Sequence, residues 1–259
     1  MAIQRIASKW EKTKALNKRE HILPYIPDTR VYSLAHLQDM LNEYGMVYIK
    51  PDCGTYGIGV MCAELEKDDI DENAGPLFKL NFGTQSEVHP TVEELHKSIK
   101  EKIGAKTYLI QKGITLLTYR RRKFDLRALV QKTPHNTWET TAFIGRVAAP
   151  QKIVTNHHSG GTALPIEELL GPHLSPSQFS ALYKEMKTLG VQVASQLSRK
   201  YPRLKEIGLD LAIDEQYRIW ILEVNTKPAL FPFKWLQDKS IYKKVRRYAV
   251  AYGRLKSAK

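Results

Sequence analysis

Ile207-Gly208-Leu209-Asp210-Leu211-Ala212-Ile213, followed beyond Asp214–Tyr217 by Arg218-Ile219-Trp220-Ile221-Leu222-Glu223-Val224-Asn225, is the stretch that decides the fold. Both runs are apolar and β-branched, and the turn between them makes them a hairpin. In the first strand Asp210 alternates against Ile207, Leu209, Leu211 and Ile213. In the second, Glu223 and Asn225 share a face, because strand side chains alternate with period two. A turn at Asp214–Tyr217 pairs Ile213 with Arg218 and sets Asp210 opposite Ile221. Asp210 then lies diagonal to Glu223 on one face, about 7–8 Å away. Two carboxylates and an amide oxygen at that spacing can share a hard cation. Mg²⁺ takes oxygen ligands and leaves its other positions to water and phosphate. Carboxylates set among apolar strand residues are costly to bury without such a partner.

A second stretch points to what that cation would serve. Tyr48-Ile49-Lys50 ends an apolar strand, and Pro51-Asp52-Cys53-Gly54-Thr55-Tyr56-Gly57-Ile58-Gly59-Val60 follows. Glycine lets backbone N–H groups approach an anion and adopt positive φ. A lysine beside such a loop is suited to a polyphosphate. The segment is not the G-x-x-x-x-G-K-[ST] phosphate loop, and by itself a Gly-rich turn can equally be a plain hairpin turn.

The 259 residues allow one large domain or two intimate lobes, and 42% hydrophobic content is enough for a substantial core. No apolar run is long enough to span a membrane. Met1 to Lys14 is basic but lacks the apolar core and cleavage site of a secretory signal. The two cysteines, Cys53 and Cys62, fit neither a zinc pattern nor a disulfide framework, which makes a reducing cytoplasm the expected location. A net charge of +13 favours anionic partners: nucleotides, nucleic acid, acidic peptides or an anionic surface. The basic residues gather at Lys9–Arg19, Arg120–Lys123 and Lys243–Arg247, runs that most often form solvated faces.

Helices are predicted over 9–20, from a Ser33 cap to a Gly45 stop, from the Thr91/Glu94 capping box to Gly104, and from the Ser175-Pro176-Ser177-Gln178 box to just before Pro202. Strands are predicted at Met46–Ile49, 57–65, Leu77–Phe82, Tyr108–Gln111, 124–132 and 137–147, besides the carboxylate hairpin. Residues 151–163 read as a polar loop, and the tail from about 235 as a basic helix. Hairpins mixed with helices argue for an α+β fold over a doubly wound sheet.

Taken in order, these motifs resemble the ATP-grasp superfamily over roughly residues 8–230. Ser8-Lys9-Trp10 with Pro24 is similar to the family's N-terminal D-K…P element, which makes Lys9 a phosphate ligand by resemblance. Lys50 resembles the second phosphate lysine, and Gly54, Thr55, Tyr56, Gly57 and Gly59 the loop that closes over the triphosphate. Gln111, Lys112, Gly113 and Ile114 stand where the family binds adenine. Phe124-Asp125-Leu126-Arg127 is similar to its D-x-R strand, and Arg146 to its second arginine, which gives Arg127 and Arg146 catalytic roles. Asn156, His158, Gly160 and Gly161 match an N-x-x-x-G-G element that implies substrate contact. His157 and His158 are at least as well read as a pair of loop histidines satisfied by water or backbone. Asp210, Glu223 and Asn225 match the metal ligands.

Within the superfamily the chain resembles the YheC/YheD group, the endospore coat-associated proteins of spore-forming bacteria. The resemblance implies ATP and Mg²⁺ (or Mn²⁺) as cofactors and a carboxylate–amine ligase acting through an acyl phosphate. Its substrates would be a carboxylate and an amine, with peptides or acidic molecules as candidates and no settled substrate implied, and spore-coat proteins would be candidate partners. Residues 1–259 would form a single module: one lobe at about 28–110, a second at about 111–234 containing hairpin 207–225, and a basic helix at about 235–259. Most of the N-terminal domain that commonly precedes the fold would be absent. Asn225 continues as Thr226-Lys227-Pro228-Ala229 rather than the common small residue–Pro–Gly, so acceptor recognition would differ. A kinase on the same fold and a non-catalytic nucleotide-binding coat scaffold are the alternatives. Nucleic-acid binding is allowed by charge, but no reader motif supports it.

Overall fold

Helices packed on antiparallel sheets give two layered units that meet at a cleft. The computed structural model describes residues 3–55, 57–66, 75–148 and 162–256. The chain opens with α1 (Lys9–Leu16), whose Ser8 side chain accepts from the Glu11 N–H. The first sheet holds β1 (Thr29–Val31), β2 (Met46–Pro51), β3 (Met61–Glu66), β4 (Leu77–Phe82), β5 (Gln85–His89) and β6 (Tyr108–Lys112), in the order β1-β6-β2-β3-β4-β5. All its pairs are antiparallel. Two helices cover it, α2 (Leu34–Tyr44) and α3 (Val92–Ile103). Leu37, Met40 and Leu41 of α2 and Leu95, Ile99 and Ile103 of α3 bury against Val47, Ile49, Leu80 and Ile110. The helices stop at glycines of positive φ, Gly45 (φ 70°) as a left-handed cap and Gly104 (φ 57°) in a conformation that glycine alone adopts readily.

The second sheet runs β10-β9-β8-β11-β12, built from β8 (Arg122–Lys132), β9 (Trp138–Val147), β10 (Thr162–Leu164), β11 (Glu206–Ile213) and β12 (Ile219–Asn225), with the short β7 (Thr118–Tyr119) paired to β8. One face packs on α4 (Ile166–Leu170) and α5 (Pro176–Lys200), through Phe124, Leu126, Leu209 and Leu211 against Met186, Leu189 and Val193. The Ser175/Gln178 capping box of α5 is formed as read from sequence. Part of the other face lies under a 3₁₀ turn (Phe231–Trp235) and α6 (Lys239–Ala251), where Leu129, Ala142 and Ile144 meet Phe233, Val245 and Ala249. The rest of that face is polar and looks toward β2 and β6. Among the described residues, no helix is long and apolar enough to cross a membrane.

Several boundaries differ from expectation. The first helix ends at Leu16, not near residue 20. The strand after the glycine loop starts at Met61, because Gly57 (φ 73°) and Gly59 (φ 77°) hold a turn. The terminal helix begins at Lys239, capped by Asp238.

The largest correction concerns the carboxylate hairpin. Ile213 pairs with Ile219, not Arg218, and a β-bulge between Asp210 and Leu211 leaves Leu222 unopposed on β12. Asp210 therefore sits directly opposite Glu223, not diagonal to it. The bulge also reverses the parity of β12. Ile219 and Ile221 face the helix-covered core, and so does Val224, while Glu223 and Asn225 face the cleft. A strictly alternating strand would have put Glu223 on the side of Ile221.

Candidate active site

A cavity of about 730 Å³ lies between the two sheets, a size typical of small-ligand sites. Lys50 leaves the end of β2 and spans the cleft. Its ammonium donates to Gln111 Oε1 (2.7 Å) and, across to the second sheet, to the Leu222 carbonyl (3.0 Å). Gln111 in turn donates to Thr29 Oγ1 (2.8 Å). Burial lowers the Lys50 pKa to about 8, partly opposed by the attraction of Glu223. Lys9, from the first turn of α1, donates to the Pro51 carbonyl (3.0 Å) and the Gly54 carbonyl (3.3 Å), and lies 3.8 Å from Glu223. Lys9 thus reaches the root of the glycine loop, while Lys50 bridges β6 and β12.

Arg127 on β8 is register partner to Asp210 and forms an ion pair with it. Arg146 on β9 is clamped bidentately by Asp125 (2.7 and 2.6 Å) and also lies 3.1 Å from Asp210. Burial opposes the Asp210 charge, but Arg127 and then Arg146 outweigh it and keep the carboxyl below its ordinary range. Burial likewise opposes the Arg146 charge, and Asp125 with Asp210 more than restores it.

The residues present fit a hard divalent cation. Asp210 faces Glu223, and Asn225 Nδ2 is 3.5 Å from Asp210 Oδ2, so half a turn of the amide would bring its oxygen to the same place. Two carboxylates and an amide oxygen are the donor chemistry of Mg²⁺ rather than of zinc.

A family model for YheC/D-like ATP-grasp proteins matches residues 2–255. The chain belongs to this ATP-grasp family. It is 23% identical over 229 residues to the "Endospore coat-associated protein YheD" of Bacillus subtilis (strain 168), which covers 85% of this chain and 48% of that protein. It is 24% identical over 224 residues to YheC, also named endospore coat-associated, of the same organism, which covers 86% of this chain and 60% of that protein. The chain thus spans only about half the length of the curated relatives it matches.

Most of the ATP-grasp residues expected from sequence line this one cavity. Lys9, Lys50, Gly54, Thr55 and Gly57 do so from α1, β2 and the glycine loop. Gln111, Lys112 and Ile114 line it from the end of β6, and Arg127, Arg146, Asp210, Glu223 and Asn225 from the second sheet. Gly59 and Gly113 are not in the lining but permit close packing behind it. A Cβ on Gly59 would meet the Tyr108 hydroxyl at 2.6 Å, and one on Gly113 the Met46 carbonyl at 2.8 Å. Tyr56, Asn156, His157, His158, Gly160 and Gly161 lie outside the described residues. At the end of β6, the Lys112 N–H is taken by the Asp28 carbonyl and the Gly113 N–H by the Met46 carbonyl. The Ile114 N–H has no backbone acceptor among the described residues.

Sequence reasoning missed Lys12. It is buried, lines the cavity, and has its pKa lowered to about 8 by desolvation. Its signal was present, since Lys9 and Lys12 stand three apart and so share a helix face. Phe231, Trp235 and Arg254 also line the cavity and carried no such signal.

Proposed function

We propose that the chain is an ATP- and Mg²⁺-dependent carboxylate–amine ligase. The observation that carries this reading is the single cavity, in which Lys9 and Lys50 face Asp210, Glu223 and Asn225 with Arg127 and Arg146 alongside. The two sheets act as the lobes, about 28–110 and 111–234, with ATP between them. The Ile114 N–H, which has no backbone acceptor among the described residues, donates to the adenine edge. Lys9 and Lys50 hold phosphate oxygens, and the glycine loop covers them. Asp210, Glu223 and Asn225 hold Mg²⁺, which when bound offsets phosphate charge. Arg127 and Arg146, which reach Asp210 from the neighbouring strands, would stand beside the γ-phosphate, with Arg146 still held by Asp125.

A substrate carboxylate oxygen attacks the γ-phosphorus, and the bond to ADP breaks. An amine then attacks the acyl carbon. Phosphate leaves, and the nitrogen gives up its proton. The arginines hold the anions of both steps, and no protein nucleophile is needed, which leaves Cys53 outside the chemistry. The relatives' names support association with the spore coat.

Incubation with MgATP, a panel of carboxylates and hydroxylamine tests the reading. Hydroxamate formed together with ADP, and lost in Lys50→Ala, supports it. A stable phosphorylated product shows a kinase instead. MgATP binding that is unchanged in Asp210→Ala and Glu223→Ala rejects the site.

A further inference from the structure

Beyond the end of β12 the same cavity changes character. Three of the eight exposed large apolar side chains among the described residues line it: Ile58, Phe231 and Trp235. Isolated exposed apolar residues need no explanation, but their convergence on one cavity does. Phe231 and Trp235 stand edge to face, with centroids 5.4 Å apart. They are held from beneath, because Leu230, Phe233 and Leu236 of the same turn are buried against the sheet. Ile58 belongs to the glycine loop.

Beside the aromatic pair lie two exposed cations, Arg5 and Lys227. Neither has an ion-pair partner among the described residues. Their backbones are locked together, since Thr226 Oγ1 accepts from the Ile6 N–H (2.8 Å) and donates to the Ile6 carbonyl (3.3 Å). Pro228 seats this segment on the sheet, where only Gly208 leaves room: a Cβ there would meet Pro228 Cβ at 2.8 Å. Arg254 braces it from the other side, donating to the Pro228 carbonyl (2.7 Å) while ion-paired to buried Glu206. A rigid aromatic platform next to exposed cations that have no ion-pair partner among the described residues is a recognition surface for an amphipathic anion.

We infer that Arg5, Lys227, Phe231 and Trp235 form the subsite for the acid substrate, and that this substrate is a peptide-like dicarboxylate bearing a large apolar side chain. One carboxylate reacts beside Arg127 and Arg146. The second pairs with Arg5 and Lys227, and the apolar group covers Phe231 and Trp235. Lys227 follows Glu223 by four positions, at most about 14 Å of extended chain, which a dipeptide with extended side chains can bridge. The reacting-carboxylate half of this assignment rests on the ligase reading. The binding half does not.

The test is calorimetry of the full chain with three probes, N-acetyl-Glu-Phe, N-acetyl-Gln-Phe and N-acetyl-Glu-Ala, each with and without MgATP, together with a separate MgATP titration. The expected result is that N-acetyl-Glu-Phe binds about 10-fold more tightly than either of the others. Lys227→Glu should abolish the advantage over the Gln probe, and Trp235→Ala the advantage over the Ala probe, with MgATP affinity unchanged in both. Lys227 is exposed, so its variant keeps the test valid if Trp235→Ala melts early. Equal affinities for the three probes, no binding of any, or variants indistinguishable from the parent overturn the subsite. Dipeptide binding as expected with no MgATP binding rejects the ligase reading and leaves the subsite standing. The converse rejects the subsite alone.

Discussion

Asp210 stands directly opposite Glu223 across β11 and β12, and one unopposed residue, Leu222, puts it there. The same bulge turns the Leu222 carbonyl to Lys50 of the other sheet (3.0 Å). One local irregularity therefore aligns the candidate metal ligands and ties the two sheets together across the cleft. Bulges are a recurrent means of re-aiming side chains at active sites.

The two carboxylates should separate in their effects. Asp210 is buried between two guanidiniums, so Asp210→Ala leaves buried charge unpaired and should cost about 3–5 kcal/mol in denaturant unfolding. Glu223 is more open, and Glu223→Gln should cost under about 1 kcal/mol. Both should remove the Mg²⁺ dependence of ATP binding in calorimetry. Glu223→Gln retaining full Mg²⁺ dependence would remove it from the ligand set.

ATP affinity should fall as pH rises through about 8. The Lys50 ammonium, with its pKa lowered to about 8, is charged at pH 7 and neutral by pH 9 in the free protein. Phosphate favours the charged form, so ATP raises that pKa and binding takes up protons near pH 8–9. Lys12, also lowered to about 8, adds to the uptake. Titrations in two buffers of different ionisation enthalpy measure the proton count, and Lys50→Gln should reduce it. Stability runs the other way. An unfolded lysine binds protons up to about pH 10.4, so the cost of burying this charge is relieved as pH climbs from 8.

Gln111 should act through Lys50. Its side chain links the Lys50 ammonium to Thr29. Gln111→Ala leaves a buried donor and acceptor short of partners and should cost about 1–3 kcal/mol in thermal unfolding. ATP should bind about 3- to 10-fold more weakly, the equivalent of about 1 kcal/mol. A variant with unaltered ATP affinity would show that Lys50 needs no such support.

The hairpin itself depends on Asp214. Its carboxylate accepts from the Gln216 and Arg218 N–H groups, from Arg218 Nε and from Trp220 Nε1. Burial opposes its charge, but these bonds, led by Trp220, keep its pKa low. Such a group stabilises the fold above the ordinary carboxylate range, and that contribution is lost as pH falls through its folded pKa. Asp214→Ala should cost about 2–3 kcal/mol near neutral pH, with a smaller difference from the parent in acid. Arg218→Ala, which removes a largely exposed side chain, should cost under about 1 kcal/mol.

The helix ends were legible because their determinants are local. The Ser33, Thr91 and Ser175 side chains each cap the helix that follows, and Gly45 and Gly104 end two of them. Short strands were harder. β1, β5 and β10 have three to five residues and owe their existence to a neighbour's edge, not to their own pattern. In the site, Lys50, Asp210, Glu223 and Asn225 could be named from type and order. Gln111 was placed at the adenine hinge, yet its side chain is spent on Lys50.

The sequence by itself determined the fold class, the family and the inventory of charged side chains, since ordered motifs and caps are properties of neighbouring residues. Only the tertiary structure decided which of those side chains meet. A one-residue bulge inverts a strand's faces, and no periodicity count reveals it, because the bulge is set by how β12 pairs with β11. The aromatic platform was hidden for the same reason. Phe231 and Trp235 read as ordinary apolar residues until the burial of Leu230, Phe233 and Leu236 turns them outward into the cavity.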